Sequence, residues 1–113
     1  MPYIKAARVK SGDREGYLLK YLRAFPDASG WMLDAHVGEY GGVGASFDWS
    51  LVPLERERPV ILSGGLTPAN VGEAVRLVRP WAVDVSTGVE SAKGIKDATK
   101  IAAFIEEVRH ADV

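Results

Sequence analysis

Four strand-then-helix units on a parallel sheet, an α/β fold, are what this sequence predicts, and three observations carry the prediction. Apolar runs that read as strands alternate with amphipathic stretches that read as helices. A repeat of roughly 20 to 30 residues per unit is the spacing of parallel βαβ units with right-handed crossovers. Two of the strands run straight into small-residue turns, Leu62-Ser63-Gly64-Gly65-Leu66-Thr67-Pro68 and Val83-Asp84-Val85-Ser86-Thr87-Gly88-Val89-Glu90. Turns of this kind sit at the carboxyl ends of neighbouring strands, where a (β/α)8 barrel builds a phosphate site from its last two loops. The chain has 113 residues, whereas a whole barrel needs about 200 or more. The expectation is one domain over residues 1–113, the carboxyl-terminal half of a (β/α)8 barrel with its amino-terminal half absent.

Each element has its own warrant. Tyr3 to Val9 reads as a strand, with Lys5 and Arg8 making it less apolar than a fully buried one. Ser11-Gly12-Asp13 breaks it. Asp13 to Phe25 then carries Leu18, Leu19, Leu22 and Phe25 at helical spacing, and Pro26 ends that helix. Trp31-Met32-Leu33 is a short strand ending at Asp34. A glycine-rich loop follows from Ala35 to Ser46, with a short helix from Asp48 onward. Pro59 to Leu62 is the third strand. Thr67 caps the next helix and Pro68 takes its first position, with Val71, Ala74, Val75 and Val78 as the buried stripe. Ala82 to Val85 is the fourth strand, and the last helix, Asp97 to Arg109, is expected to bury Ile101, Phe104, Ile105 and Val108.

Composition narrows the function. With 47% apolar and 26% charged residues the chain can pack a core. A formal charge of −1 argues against a nucleic-acid footprint. There is no cysteine, hence no disulfide, thiolate zinc site or catalytic thiol in this chain. No signal-like or membrane-spanning apolar run is present, so the expected location is the cytoplasm, with no membrane partner.

In such a fold the polar residues at the carboxyl ends of strands are the candidates for chemistry. Asp34 and Asp84 each end or interrupt an apolar run. A carboxylate there needs partners, and can have a pKa raised toward proton donation; each can equally be a structural aspartate that holds loop amides. Gly64, Gly65 and Leu66, with Ser86, Thr87 and Gly88, could present backbone N–H groups to a phosphate. Taken singly these are ordinary tight turns; the pairing on adjacent strands favours the phosphate. No lysine or arginine lies in either turn, which fits capture by backbone. His36 reads as an exposed loop residue and His110 as surface. Trp31 and Trp81 read as packing residues at strand starts, and Glu55-Arg56-Glu57-Arg58 as a solvated helix end. Neither metal-ligand spacing nor a Ser-His-Asp order is present.

Leu33-Asp34, the loop Gly41 to Trp49, Leu62 to Val71, Val83 to Ser91 and Gly94-Ile95-Lys96-Asp97 together resemble the phosphoribosylanthranilate isomerase family, over nearly the whole chain. The resemblance implies an Amadori rearrangement in tryptophan biosynthesis: N-(5-phosphoribosyl)anthranilate becomes 1-(carboxyphenylamino)-1-deoxyribulose 5-phosphate, without cofactor or metal. It implies that Asp34 is the general acid, that Asp84 lies near the anthranilate, and that the two glycine turns grip the phosphate. The family's general base is a cysteine on its first strand, and its anthranilate-binding arginine lies on its second. Both would fall in the absent amino half. Val43, Ala45 and Thr87 depart mildly from the family pattern.

Two functions follow from these readings. One is an isomerase of which this chain is the carboxyl half, inactive alone. The other is a phosphate-binding half-barrel acting as an assembly module. Both leave edge strands at Tyr3–Val9 and Ala82–Val85, and an uncovered inner face carrying Leu33, Ile61 and Val83. The partner is therefore expected to be a second copy or the amino half.

Overall fold

The computed structural model describes residues 2–9, 17–35, 49, 52 and 54–112. Four strands form one parallel sheet in chain order: β1 Ile4–Val9, β2 Gly30–Ala35, β3 Val60–Leu62 and β4 Ala82–Val83. Helix α1, Tyr17–Arg23, connects β1 to β2, and α2, Val71–Val78, connects β3 to β4. A short antiparallel hairpin follows, β5 Glu90–Ala92 and β6 Ile95–Lys96, and then α3, Ala98–Ala111. The α/β class and the four parallel strands are as expected. The hairpin is not; its exposed Ser91-Ala92-Lys93 carries no strand pattern, and the reversal is made by Gly94 at φ 79°. The start of the first helix at Asp13, the glycine loop, the helix from Asp48 and His36 lie outside the described residues.

The core lies between the sheet and its helices. Val9, Trp31, Leu33, Val60 and Leu62 are almost fully buried, against Leu18 and Leu22 of α1 and Val71, Ala74 and Val78 of α2. Each such side chain stabilises the fold by about 1.5–3 kcal/mol, so this face holds the sheet together. Strand register corrects the expected inner face. Leu33 pairs with Leu62, and Leu62 with Val83, so those three share the helix-facing side, where Leu33 is only 1% exposed. Ile61 pairs with Met32 and Ala82 on the opposite side, because successive side chains of a strand point to opposite faces. The open face thus carries Ile4, Ala6, Met32, Ile61 and Ala82.

Three further expectations are corrected. Trp31 is a packing residue, but Trp81 is 75% exposed at the start of the edge strand β4. In α3 only Phe104 is buried and Val108 half-buried, whereas Ile101 and Ile105 are exposed. Helical periodicity identified the apolar stripe, but α2 covers only part of it. The run Glu55 to Arg58 is neither helical nor simply solvated. Arg56 Nη2 donates to the carbonyls of Val78 and Arg79 at 2.9 and 2.8 Å, satisfying the carboxyl end of α2. Arg58 donates to the carbonyls of Ala28 and Pro26. His110 is on the surface, paired with Glu106 one turn earlier.

Candidate functional site

One polar row crosses the open face at the carboxyl ends of the strands. Arg8 of β1 pairs with Asp34 of β2. One step beyond the last paired residues, Ser63 follows Leu62 and Asp84 follows Val83, and the ladder continues through Ser63 N–H to Leu33 O at 2.8 Å and Asp84 N–H to Leu62 O at 2.9 Å. Arg8, Asp34, Ser63 and Asp84 therefore stand side by side, above the apolar row Ala6, Met32, Ile61 and Ala82. Asp34 and Asp84 are two strands apart, about 10 Å at the usual strand spacing, with Ser63 between them.

Asp34 is half-buried, while Asp84 is exposed and lies one residue past the end of β4 rather than inside it. Neither is an enclosed carboxylate, because the face they occupy is uncovered. Asp84 Oδ2 accepts from Ser63 Oγ at 3.0 Å, and Ser63 is buried. Ser63 thus ties the second aspartate to the strand that leads into the first glycine turn. Arg8 and Ser63 were not singled out from sequence. Aligning the four strand ends would have found them, since both fall in the row that contains the two aspartates.

The first turn is built on glycine by necessity. Gly64 and Gly65 have φ of 85° and 71°, a left-handed conformation that costs other L-residues about 1–2 kcal/mol each. Leu66 anchors the turn with a buried side chain. Asn70 closes it from behind: its Nδ2 donates to Gly65 O at 2.9 Å, and its Oδ1 accepts from Thr67 N–H at 2.8 Å. Thr67 Oγ1 accepts from Ala69 N–H at 3.2 Å, and Val71 N–H reaches Thr67 O. Thr67 and Asn70 thus bond reciprocally across the turn that leads into α2, whose cap residue is Asn70 and first residue Val71, rather than the expected Thr67 and Pro68. Among the described residues, the N–H groups of Gly64, Gly65 and Leu66 donate to no protein acceptor. They are free to bind water or an oxyanion.

The second turn, Ser86 to Gly88, enters a single 3-10 turn at Thr87–Val89. It sits directly on the first. A methyl group added at Gly88 would lie 1.8 Å from Leu66 O and 2.9 Å from its carbonyl carbon. Only glycine permits that approach, and the contact fixes the spacing of the two turns. The hairpin holds the second turn from the other side. Lys96 Nζ donates to Ser86 O at 3.0 Å, to Ser86 Oγ at 3.3 Å and to Glu90 Oε2 at 2.6 Å. The Lys96 hydrogen bond, followed by one from the Gly94 N–H, holds the Glu90 carboxyl below its ordinary pKa. A cation therefore does reach the second turn, although none lies within it. Among the described residues, no three His, Cys, Asp or Glu side chains converge as a metal site, and no helix is long and apolar enough to cross a membrane.

A family model described as N-(5'-phosphoribosyl)anthranilate (PRA) isomerase matches residues 1–107. The N-(5'-phosphoribosyl)anthranilate isomerase of Leptothrix cholodnii is 58% identical over 111 residues, covering 98% of this chain and 49% of that protein. Among solved structures, phosphoribosyl anthranilate isomerase from Thermotoga maritima matches with a TM-score of 0.78 and 41% identity, over 97% of this chain and 52% of that one. Another, a phosphoribosyl anthranilate isomerase in complex with reduced 1-(o-carboxyphenylamino)-1-deoxyribulose 5-phosphate, matches with a TM-score of 0.73 and 37% identity, over 97% and 50% of the two chains. This chain spans about half the length of the curated relatives it matches.

Proposed function

This chain belongs to the N-(5'-phosphoribosyl)anthranilate isomerase family, and we propose that it is the carboxyl half of such an isomerase's barrel. In this reading residues 1–113 contribute the phosphate grip and the acid. Gly64, Gly65 and Leu66, with Ser86, Thr87 and Gly88, hold the substrate phosphate through backbone N–H groups. Asp34 protonates the furanose ring oxygen as the ring C–O bond opens. A base then removes the C2 proton to give an enolamine, which tautomerises to the ketone. Asp84, positioned by Ser63, lies near the anthranilate. The base and the arginine for the anthranilate carboxylate come from the amino half, so this chain alone is inactive.

The observation that carries the reading is the contact of Gly88 with the Leu66 carbonyl. It brings two glycine turns into contact at the ends of adjacent parallel strands, beside the row that holds both aspartates. A solved family member was obtained in complex with reduced 1-(o-carboxyphenylamino)-1-deoxyribulose 5-phosphate, so a site for a phosphate group is in keeping with the family. The test is an NMR titration of this chain with inorganic phosphate or a pentose 5-phosphate. Amide shifts at Gly65, Leu66, Thr87 and Gly88 are expected, and shifts confined to other regions would remove the phosphate reading.

The other half of the proposal concerns cover for the open face. On this face edge strand β1 exposes Ile4 at 51%, and Met32 and Ile61 are only half-buried beside it. Unpaired edges and apolar surface of this kind invite a second chain. Without the amino half, two copies close on one another by two-fold symmetry, which is also how a non-catalytic assembly module would behave. Light scattering over a dilution series should show a dimer or larger species. A compact monomer at micromolar concentration would contradict this part of the reading.

A further inference from the structure

We propose that Lys96 is a positioning residue for the phosphate grip, setting the place of the Ser86–Gly88 turn rather than attracting the phosphate by charge; this rests on the reading that the turn binds phosphate. All three N–H groups of its ammonium have acceptors, two of them on Ser86 and one on Glu90. The turn needs such a support. Strand β4 is only two residues long and its ladder ends at the Asp84 N–H, two residues before Ser86, and the contact at Leu66 limits the turn from one side only. The opposite side is the hairpin. Glu90 Oε1 accepts from Gly94 N–H at 3.0 Å, Asp97 N–H donates to Val89 O at 2.8 Å, and Lys100 Nζ donates to Glu90 O at 2.8 Å. Lys96 is the only described side chain that carries this framework to the Ser86 main chain. An electrostatic role is the weaker alternative. Glu90 neutralises the ammonium at 2.6 Å, and its carboxylate is only 11% exposed, so little net positive field is left for an incoming anion.

The experiment compares this chain with K96M and K96R by phosphate titration and by amide hydrogen exchange without ligand. For K96M, phosphate affinity should fall about tenfold, the size of effect that one lost charge-assisted hydrogen bond gives. The lost shifts should be those of Thr87 and Gly88, while Gly65 and Leu66 keep theirs. K96R, which can still donate to the Ser86 carbonyl, should stay within about threefold of the parent. The melting temperature of K96M should remain within about 4 °C of the parent, since partly exposed ion pairs contribute little. Phosphate binding by K96M within twofold of the parent, with Thr87 and Gly88 still shifting, would overturn the proposal. So would a K96M chain that does not fold, because Lys96 would then be a stability residue. If the parent itself binds no phosphate, the phosphate reading fails but exchange still decides the role of Lys96. Faster exchange at Thr87, Gly88 and Val89 alone supports it, and unchanged exchange there refutes it.

Discussion

Gly88→Ala is expected to cost this chain about 3 kcal/mol or more of stability and to abolish phosphate-induced shifts at both glycine turns. Insertion of extra volume into a packed site costs about 1–3 kcal/mol when side chains can move aside. Here the new methyl would sit 1.8 Å from a backbone carbonyl oxygen, and Leu66 has no rotamer that moves its own carbonyl. The two turns must part. The separation moves apart the two sets of backbone N–H groups that the phosphate reading needs close together. Gly94→Ala is the control: space at its Cβ is open, and only the φ of 79° is strained, for about 1–2 kcal/mol. Urea denaturation of both variants, with phosphate titration of each, checks the pair. A Gly88→Ala chain with parental stability and parental shifts would show that the turns do not depend on their contact.

Asp34→Asn should lower kcat by about 10²-fold or more with little change in KM, in an enzyme reconstituted from this chain and the amino half of a family member. The substitution keeps size and hydrogen-bonding shape but cannot donate an acidic proton. Asp34 stands in the middle of the polar row, half-buried and paired in register with Arg8, so asparagine is accommodated without repacking. A loss that appears in KM instead would make Asp34 a binding residue. An unchanged kcat would pass the acid role to Asp84, the other carboxylate of the row.

The features legible in the sequence are those set by short-range rules. The order of strands and helices follows from hydrophobic period, and the buried stripe of α2 at Val71, Ala74, Val75 and Val78 is as read. Gly64-Gly65 marks a tight turn because glycine adopts positive φ cheaply. Thr67 with Pro68 marks the turn that leads into α2, although the helix itself starts at Val71 with Asn70 as its cap residue. Asp34 and Asp84 stood out because charge is rare at the end of an apolar strand. All of this needs only a few neighbouring residues.

The tertiary structure decided what depends on residues distant in the chain. Register, not periodicity, put Arg8 and Ser63 into the row with the aspartates and moved Leu33 and Val83 to the helix-facing side. The closeness of Gly88 to Leu66, 22 positions away, depends on two strands lying side by side. The reach of Lys96 to Ser86 depends on a hairpin whose residues have little strand character of their own. Trp81, Ile101 and Ile105 have the apolar character of core residues, yet they are exposed. A sequence determines which surfaces are apolar, through the transfer free energy of each side chain. Whether such a surface is covered depends on what else the fold, or a partner, brings against it.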